Sequence, residues 1–252
     1  MKILKKIINS VGYDVSKINK EIKNVNFDDL LKNKIPENPV IFDVGGNKGQ
    51  SIERFLNIFK DPEIHSFEPI KSEFDVMVKK FEGKNNVILN NFAIGEKKGI
   101  KEFNITAKTG NSSFNNINKK SKWLKVRSKQ FNTNEEDYVV AKEKIKLETI
   151  DNYTKEKKIK RIDLIKIDTQ GYEDKVLEGG MSVLKKGHIG AIVTEIMFDD
   201  CYDKYFSFSD IEKYLIPNNF RMVGIDLSNN NLFSGLVFFA DVYYLNKSIH
   251  NL

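Results

Sequence analysis

The stretch Val40–Gln50, VIFDVGGNKGQ, limits the fold of this chain more than any other. An apolar run of Val40, Ile41 and Phe42 ends in Asp43. Gly45, Gly46 and Gly49 then bracket Asn47, and an amphipathic segment follows. This is the pattern of a buried strand, a tight turn and a helix N-terminus. Glycines in such a turn let backbone N–H groups approach a ligand that a Cβ would obstruct. Spacing excludes two phosphate-binding loops. Counting from Gly45, Asn47 stands where G-x-G-x-x-G requires its second glycine, and Gly49 is followed by Gln50 instead of the Lys-Ser/Thr of a P-loop. An acid at the lip repels phosphate. It suits a ligand that carries a cation and hydroxyls.

Strand and helix patterns alternate after the turn. Ile52, Phe55, Leu56 and Phe59 form an apolar helix stripe that Asp61-Pro62 ends. Ile64–Glu68 reads as a second strand and Val87–Asn90 as a third. Between them Ser72-Glu73-Phe74-Asp75 fits a capping box opening a helix. Ile162–Asp168 and Ile189–Glu195 are the fourth and fifth strands, separated by a helix over Glu173–Leu184 interrupted at Gly179-Gly180. Ser209-Asp210-Ile211-Glu212 fits a second capping box, and Phe220–Asp226 and Val237–Leu245 close the chain as an antiparallel pair. Such alternation specifies βαβ units and a parallel sheet.

A chain of 252 residues suits one α/β domain with additions. Residues 1–35 read as a helical cap, with Ile3, Leu4, Ile7, Ile8 and Val11 at helical spacing; an interfacial helix on anionic membrane is the alternative. Residues 36–252 form the main domain. A basic insertion breaks its rhythm over about 107–146, where Lys119, Lys120, Lys122, Lys125, Arg127 and Lys129 surround the sole tryptophan, Trp123. The insertion reads either as a solvated loop or as a mobile lid for an anionic acceptor, and the net charge of +6 permits such a partner. Cys201 is the only cysteine, which excludes an intramolecular disulfide and a cysteine zinc cluster. With no secretory leader pattern and no membrane-length apolar run, the expected location is cytoplasmic.

In an open α/β sheet the ligand lies beyond the carboxyl ends of the strands. Asp43, Glu68, Asn90-Asn91, Asp168 and Glu195 all fall at such ends. Glu68, 25 residues beyond Asp43, stands where a carboxylate accepts both ribose hydroxyls of an adenosine. With the dinucleotide fingerprint excluded, this favours S-adenosylmethionine over NAD.

The ordered set DVGGNKG, FEP (Phe67–Pro69), NNFAIGEKKG (Asn90–Gly99), LETIDNY (Leu147–Tyr153), LIKIDTQGYE (Leu164–Glu173), VTEI (Val193–Ile196) and FADVYYLNK (Phe239–Lys247) resembles the FkbM family of S-adenosylmethionine-dependent methyltransferases. The resemblance spans roughly Val40 to Lys247. It implies a Rossmann-like class I methyltransferase fold, with a seven-stranded, mostly parallel sheet and an antiparallel last strand. It also implies methylation of a hydroxyl oxygen, often on a sugar or polyketide. On this resemblance Asp43, Gly45, Gly46, Asn47 and Gly49 bind the methionine end of the cofactor. Glu68 and Pro69 lie at its ribose, and Asn91, Phe92 and Ala93 by its adenine. Gln170 departs from the family, which commonly has a carboxylate there.

A sugar hydroxyl is a poor nucleophile, so a base, or a metal lowering its pKa, is expected. Asp168 and Glu195 are the candidate bases. Lys166, on the same strand face as Asp168, is expected to pair with one of them. Ser112, Ser113, Trp123 and Glu173 are candidate acceptor contacts. A divalent metal stays open: Asp168, Glu195 and Asp199 or Asp200 supply oxygen donors, while His65, His188 and His250 form no ligand pair. The leading expectation is an O-methyltransferase for a sugar or glycan hydroxyl. The alternatives are a nucleic-acid methyltransferase, for which no binding module is present, and a cofactor-binding partner subunit without chemistry.

Overall fold

The computed structural model describes residues 26–198, 200–204, 207–227 and 238–252. The expected cap over 1–35 therefore lies mostly outside the described residues, as does Asp199. Its described part is a helix, Phe27–Lys34, capped by the Asn26 side chain, which accepts from the Asp28 and Asp29 N–H groups.

Ten strands follow: β1 (Val40–Val44), β2 (Glu63–Phe67), β3 (Val87–Asn90), β4 (Ala93–Ile94), β5 (Gly99–Thr106), β6 (Val139–Glu148), β7 (Ile162–Ile167), β8 (Ile189–Met197), β9 (Phe220–Asp226) and β10 (Phe239–Asn246). The main sheet has seven strands in the order β3-β2-β1-β7-β8-β10-β9. All pairs are parallel except those of β10, which runs antiparallel to both β8 and β9. The order reverses between β1 and β7, which places the topological switch point there.

Alternation along each strand sorts side chains between two cores. Phe42, Val44, Ile165 and Ile167 pack on one face; Ile41, Leu164 and Val193 pack on the other, against helix Gln50–Ile58. Asp43 shares the second face with Ile41, and the parallel register sets it directly beside Lys166 of β7. The ion-pair geometry of the site is thus fixed by strand register.

The segment over 107–146 is more than a solvated loop. It closes a second sheet, β4-β6-β5, and carries helix Lys122–Gln130. In β6, Ile145 and Leu147 face inward and alternate with exposed Lys144 and Lys146, a pattern the density of lysines conceals. Trp123 is only 5% exposed and packs edge-on to Tyr138. It fills a small core with Leu124, Ile117 and Tyr202 and makes no wall of a cleft. Helix Lys71–Lys80 lacks the expected capping box, because Glu68 instead takes the Ile70 N–H at its entry. The second box forms two residues earlier than expected, between Ser207 and Asp210. The break at Gly179 has a steric cause: a Cβ there would come within 2.0 Å of the Gly95 carbonyl oxygen.

Candidate active site

A cleft of about 510 Å³ opens at the carboxyl edge of the main sheet, over the switch point. Its lining comes from the β1 turn, Glu68–Ile70, Ala93-Ile94, Lys108–Gly110, Ser112, Asp168–Gln170, Glu195 and Asp241.

The glycines of the β1 turn are required for chain packing. Gly45 and Gly49 have φ of +91° and +79°, and a Cβ on Gly45 would stand 1.9 Å from the Asp168 carbonyl oxygen. The Gly45 and Gly46 N–H groups both donate to the Phe67 carbonyl, at 3.0 and 3.1 Å, and Gly49 donates to Gly46. They are therefore engaged within the turn. What the turn presents to the cleft is the Asn47 N–H, which donates to Glu68 Oε2 at 2.8 Å.

Glu68 receives the Ile70 N–H on its other oxygen at 2.7 Å, so each oxygen keeps acceptor capacity. Burial pushes its carboxyl up to about 7, against the pull of the Ile70 and Asn47 N–H groups. Ile70, Ala93 and Ile94 provide an apolar wall beside it, with Phe103, Phe114 and Tyr172 from the second sheet and the β7 turn.

At the other end of the cleft the carboxylates sit around one lysine. Lys166 Nζ lies 3.2 Å from Asp168 Oδ2 and 3.9 Å from Asp43 Oδ1. Burial opposes its charge, but Asp168, Asp43 and Asp241 outweigh burial and hold the ammonium above a free lysine's pKa. Burial, then Asp168 and Glu173, raise the Glu195 carboxyl well above the usual range. Asp241 pairs across the sheet with Glu195, and burial followed by Asp168 raises it too.

Residues 43–222 match a family model described as the methyltransferase FkbM domain. The chain belongs to that family. It is 26% identical over 167 residues to the 2-O-methyltransferase NoeI of Sinorhizobium fredii (strain NBRC 101917 / NGR234), and the match covers 66% of each protein. Among solved structures it is similar to Aeropyrum pernix fibrillarin with bound S-adenosyl-L-methionine (11% identity, 87% of this chain and 73% of that one, TM-score 0.46). An rRNA methylase from Streptococcus thermophilus is similar at 10% identity, with 87% and 93% covered and a TM-score of 0.46. At that level the likeness says nothing about what this chain acts on.

The structure of this FkbM-family methyltransferase brings Gly45, Gly46, Asn47, Glu68, Pro69, Ala93, Ser112, Lys166, Asp168 and Glu195 into one cleft. Other sequence candidates lie elsewhere. Asp43 is fully buried beneath the turn, where burial raises its carboxyl and Ser66 donates to Oδ2 at 2.9 Å; its path to the cleft runs through Lys166. Gly49 packs on Phe81. Asn91 Nδ2 donates to the Glu68 and Pro69 carbonyls, and Phe92 packs on Phe67. Ser113 donates to the Gln170 carbonyl. Glu173 is 1% exposed and accepts the Thr169 and Gly171 N–H groups, so it braces the β7 turn from beneath the cleft surface. His65 is held in the core by Tyr153 and Glu63.

Glu68 and Glu173 together give a pH signature. Both carboxyls are raised from about 4.5 to about 7, mainly by burial. Between those values the folded chain binds more protons than the unfolded one, so stability is present on the acid side and is lost as pH rises through about 7. The ligand-free protein should melt higher near pH ~5.5 than near pH ~7.5, by roughly 5 °C or more. Equal melting temperatures at the two pH values would contradict the burial assigned to these carboxyls.

Proposed function

We propose that this chain transfers the methyl group of S-adenosylmethionine to a hydroxyl oxygen of a sugar unit in an anionic glycan or glycan precursor. One observation carries the reading: a single cleft holds Glu68 at one end and the Lys166–Asp168 pair at the other. The residues fit the cofactor. Glu68 has a free acceptor position on each oxygen for the ribose hydroxyls, and the wall of Ile70, Ala93 and Ile94 suits adenine. Asp168, Glu195 and Asp241 favour a group bearing an ammonium and a sulfonium.

Bound there, the cofactor supplies an electrophilic methyl group on a positively charged sulfur. The protein's contribution is to align the acceptor oxygen with that methyl and to exclude water. Asp168 faces the Lys166 ammonium at 3.2 Å, whereas burial raises the Glu195 carboxyl well above the usual range. Asp168 is therefore the base that takes the hydroxyl proton, and Lys166 stabilises the ionised carboxylate beforehand.

The relative NoeI is named a 2-O-methyltransferase, which supports oxygen as the acceptor atom. Lys108 on the cleft rim supports an anionic acceptor. Its ammonium lies over the Phe131 ring, 5.6 Å from the centroid, and burial and then Arg127 lower its pKa. The basic run over 119–129, by contrast, contributes no residue to this cleft.

The test is incubation of purified protein with methyl-labelled S-adenosylmethionine and separated acidic and neutral glycan fractions. The expected result is label on a sugar oxygen of the acidic fraction, with a mass increase of one methylene. Label confined to RNA, or to neutral glycans, would overturn the assignment of acceptor class.

A further inference from the structure

The side chain of Gln170 occupies the point where Asp168 and Glu195 converge in the cleft. Its Nε2 donates to Asp168 Oδ1 and to Glu195 Oε2, both at 2.9 Å. Its Oε1 faces the opposite way and accepts from the Tyr202 hydroxyl at 3.2 Å and from Asn111 Nδ2 at 3.4 Å. This orientation of the amide is set by its acidic neighbours, because the flipped one would place its oxygen against the oxygens of Asp168 and Glu195. Tyr202 is itself 3% exposed, and its one hydroxyl hydrogen lies between Gln170 Oε1 at 3.2 Å and the Asn111 carbonyl at 3.1 Å, so a buried side chain backs Gln170.

The backbone shows the same constraint. Gln170 has φ +58°, a left-handed conformation that is strained for a non-glycine residue. The Ser113 hydroxyl holds its carbonyl at 2.7 Å. Such a conformation persists only where its surroundings over-determine it. Here it delivers one NH₂ group, with two hydrogens, to two carboxylates.

A divalent cation bound by Asp168 and Glu195 would need oxygens about 2.0–2.6 Å away, in the position the amide nitrogen fills. Among the described residues no cluster of three or more His, Cys, Asp or Glu side chains is arranged to hold a metal ion. A carboxylate at position 170 would complete such a cluster. Glutamine instead supplies a neutral double donor of nearly the same shape.

We propose that Gln170 is a positioning residue whose amide takes the place of a divalent cation between Asp168 and Glu195, so that acceptor activation in this cleft is Brønsted chemistry by an amide-bridged carboxylate pair. The activation clause rests on the methyl-transfer reading above. The bridge itself does not, and it can be read by metal binding alone.

The experiment is a calorimetric titration of Mn²⁺ into the full chain, its Q170E and Q170A variants, and D168N as control. The wild type should show no Mn²⁺ heat that D168N removes. Q170E should bind Mn²⁺ roughly 100-fold more tightly than the wild type and melt higher in its presence, since three carboxylates then meet with Lys166 as their one close counter-charge among the described residues. Q170A, which opens the space but adds no charge, should gain roughly tenfold. In the glycan assay, wild-type methyl transfer should survive EDTA, while that of Q170E should fall in EDTA and return with Mn²⁺. A structural defect alone would not give that rescue. The proposal is overturned if the wild type binds Mn²⁺ through Asp168, or if neither variant binds it more tightly. The titration needs no acceptor, so it decides the bridge even where methyl transfer to glycans fails.

Discussion

Glu68→Ala should weaken S-adenosylmethionine binding by roughly 100-fold or more, because two charge-assisted hydrogen bonds at about 1.5–3 kcal/mol each are lost together. The alanine also strands the Asn47 and Ile70 N–H groups, which now donate to the two carboxylate oxygens at 2.8 and 2.7 Å. Glu68→Gln should fall between, since its amide NH₂ must face one of those donors. The pH dependence separates charge from shape. Burial pushes the Glu68 carboxyl up to about 7, so the acceptor-only carboxylate becomes the major form as pH rises through that value. The dissociation constant of the wild type should therefore fall by roughly tenfold between about pH 6 and pH 8, and that slope should vanish in Glu68→Gln. Calorimetry at several pH values reads both effects. A flat profile in the wild type would remove Glu68 as the group that senses the cofactor.

The parts of this fold that were legible in the sequence are those where one signal acts alone. Four of the five parallel strands of the main sheet, β1, β2, β3 and β7, are short runs whose carboxyl ends are marked by Asp43, Glu68, Asn90 and Asp168, while β8 runs two residues past Glu195. Asp241 carries the same meaning but escapes the rule. β10 is antiparallel, so its beginning, not its end, meets the ligand edge, and Asp241 is the third residue of the strand. Asp43 fails in the opposite direction. Its position in sequence suits a lip, yet its side chain points into the sheet face beneath the turn, where strand alternation with Ile41 puts it.

The insertion was opaque for a different reason. Lysines at 142, 144 and 146 mark the solvent face of a strand, but in a chain rich in lysine they read as a charged loop. Ile145 and Leu147 bury the other face against Phe103 and Tyr172, and that tertiary contact decides the outcome. Trp123 shows how composition misleads. A lone aromatic among basic residues suggests a ligand platform, whereas burial against Tyr138 and Tyr202 makes it the centre of a satellite core. The cation that the 107–146 segment does bring to the cleft, Lys108, lies outside the basic run altogether. Proximity in three dimensions, which no periodicity records, selects it.

Asp168→Asn should lower methyl transfer by roughly 100- to 10,000-fold, the range typical of losing a general base, and leave S-adenosylmethionine affinity within about fivefold. The replacement is nearly isosteric. Its side-chain oxygen still accepts from Gln170, so the cleft keeps its shape. What disappears is a proton acceptor that stands 3.2 Å from the Lys166 ammonium. Glu195→Gln provides the contrast. Glu195 is only part-exposed, and burial followed by the charge of Asp168 raises its carboxyl well above the ordinary range. An amide there keeps the size of the side chain and an acceptor for Gln170, and the rate should fall by no more than about tenfold. Rates and cofactor affinities of the two variants, measured side by side, assign the roles. A larger loss in Glu195→Gln than in Asp168→Asn would exchange them, making Glu195 the base and leaving Asp168 as the partner that tunes it.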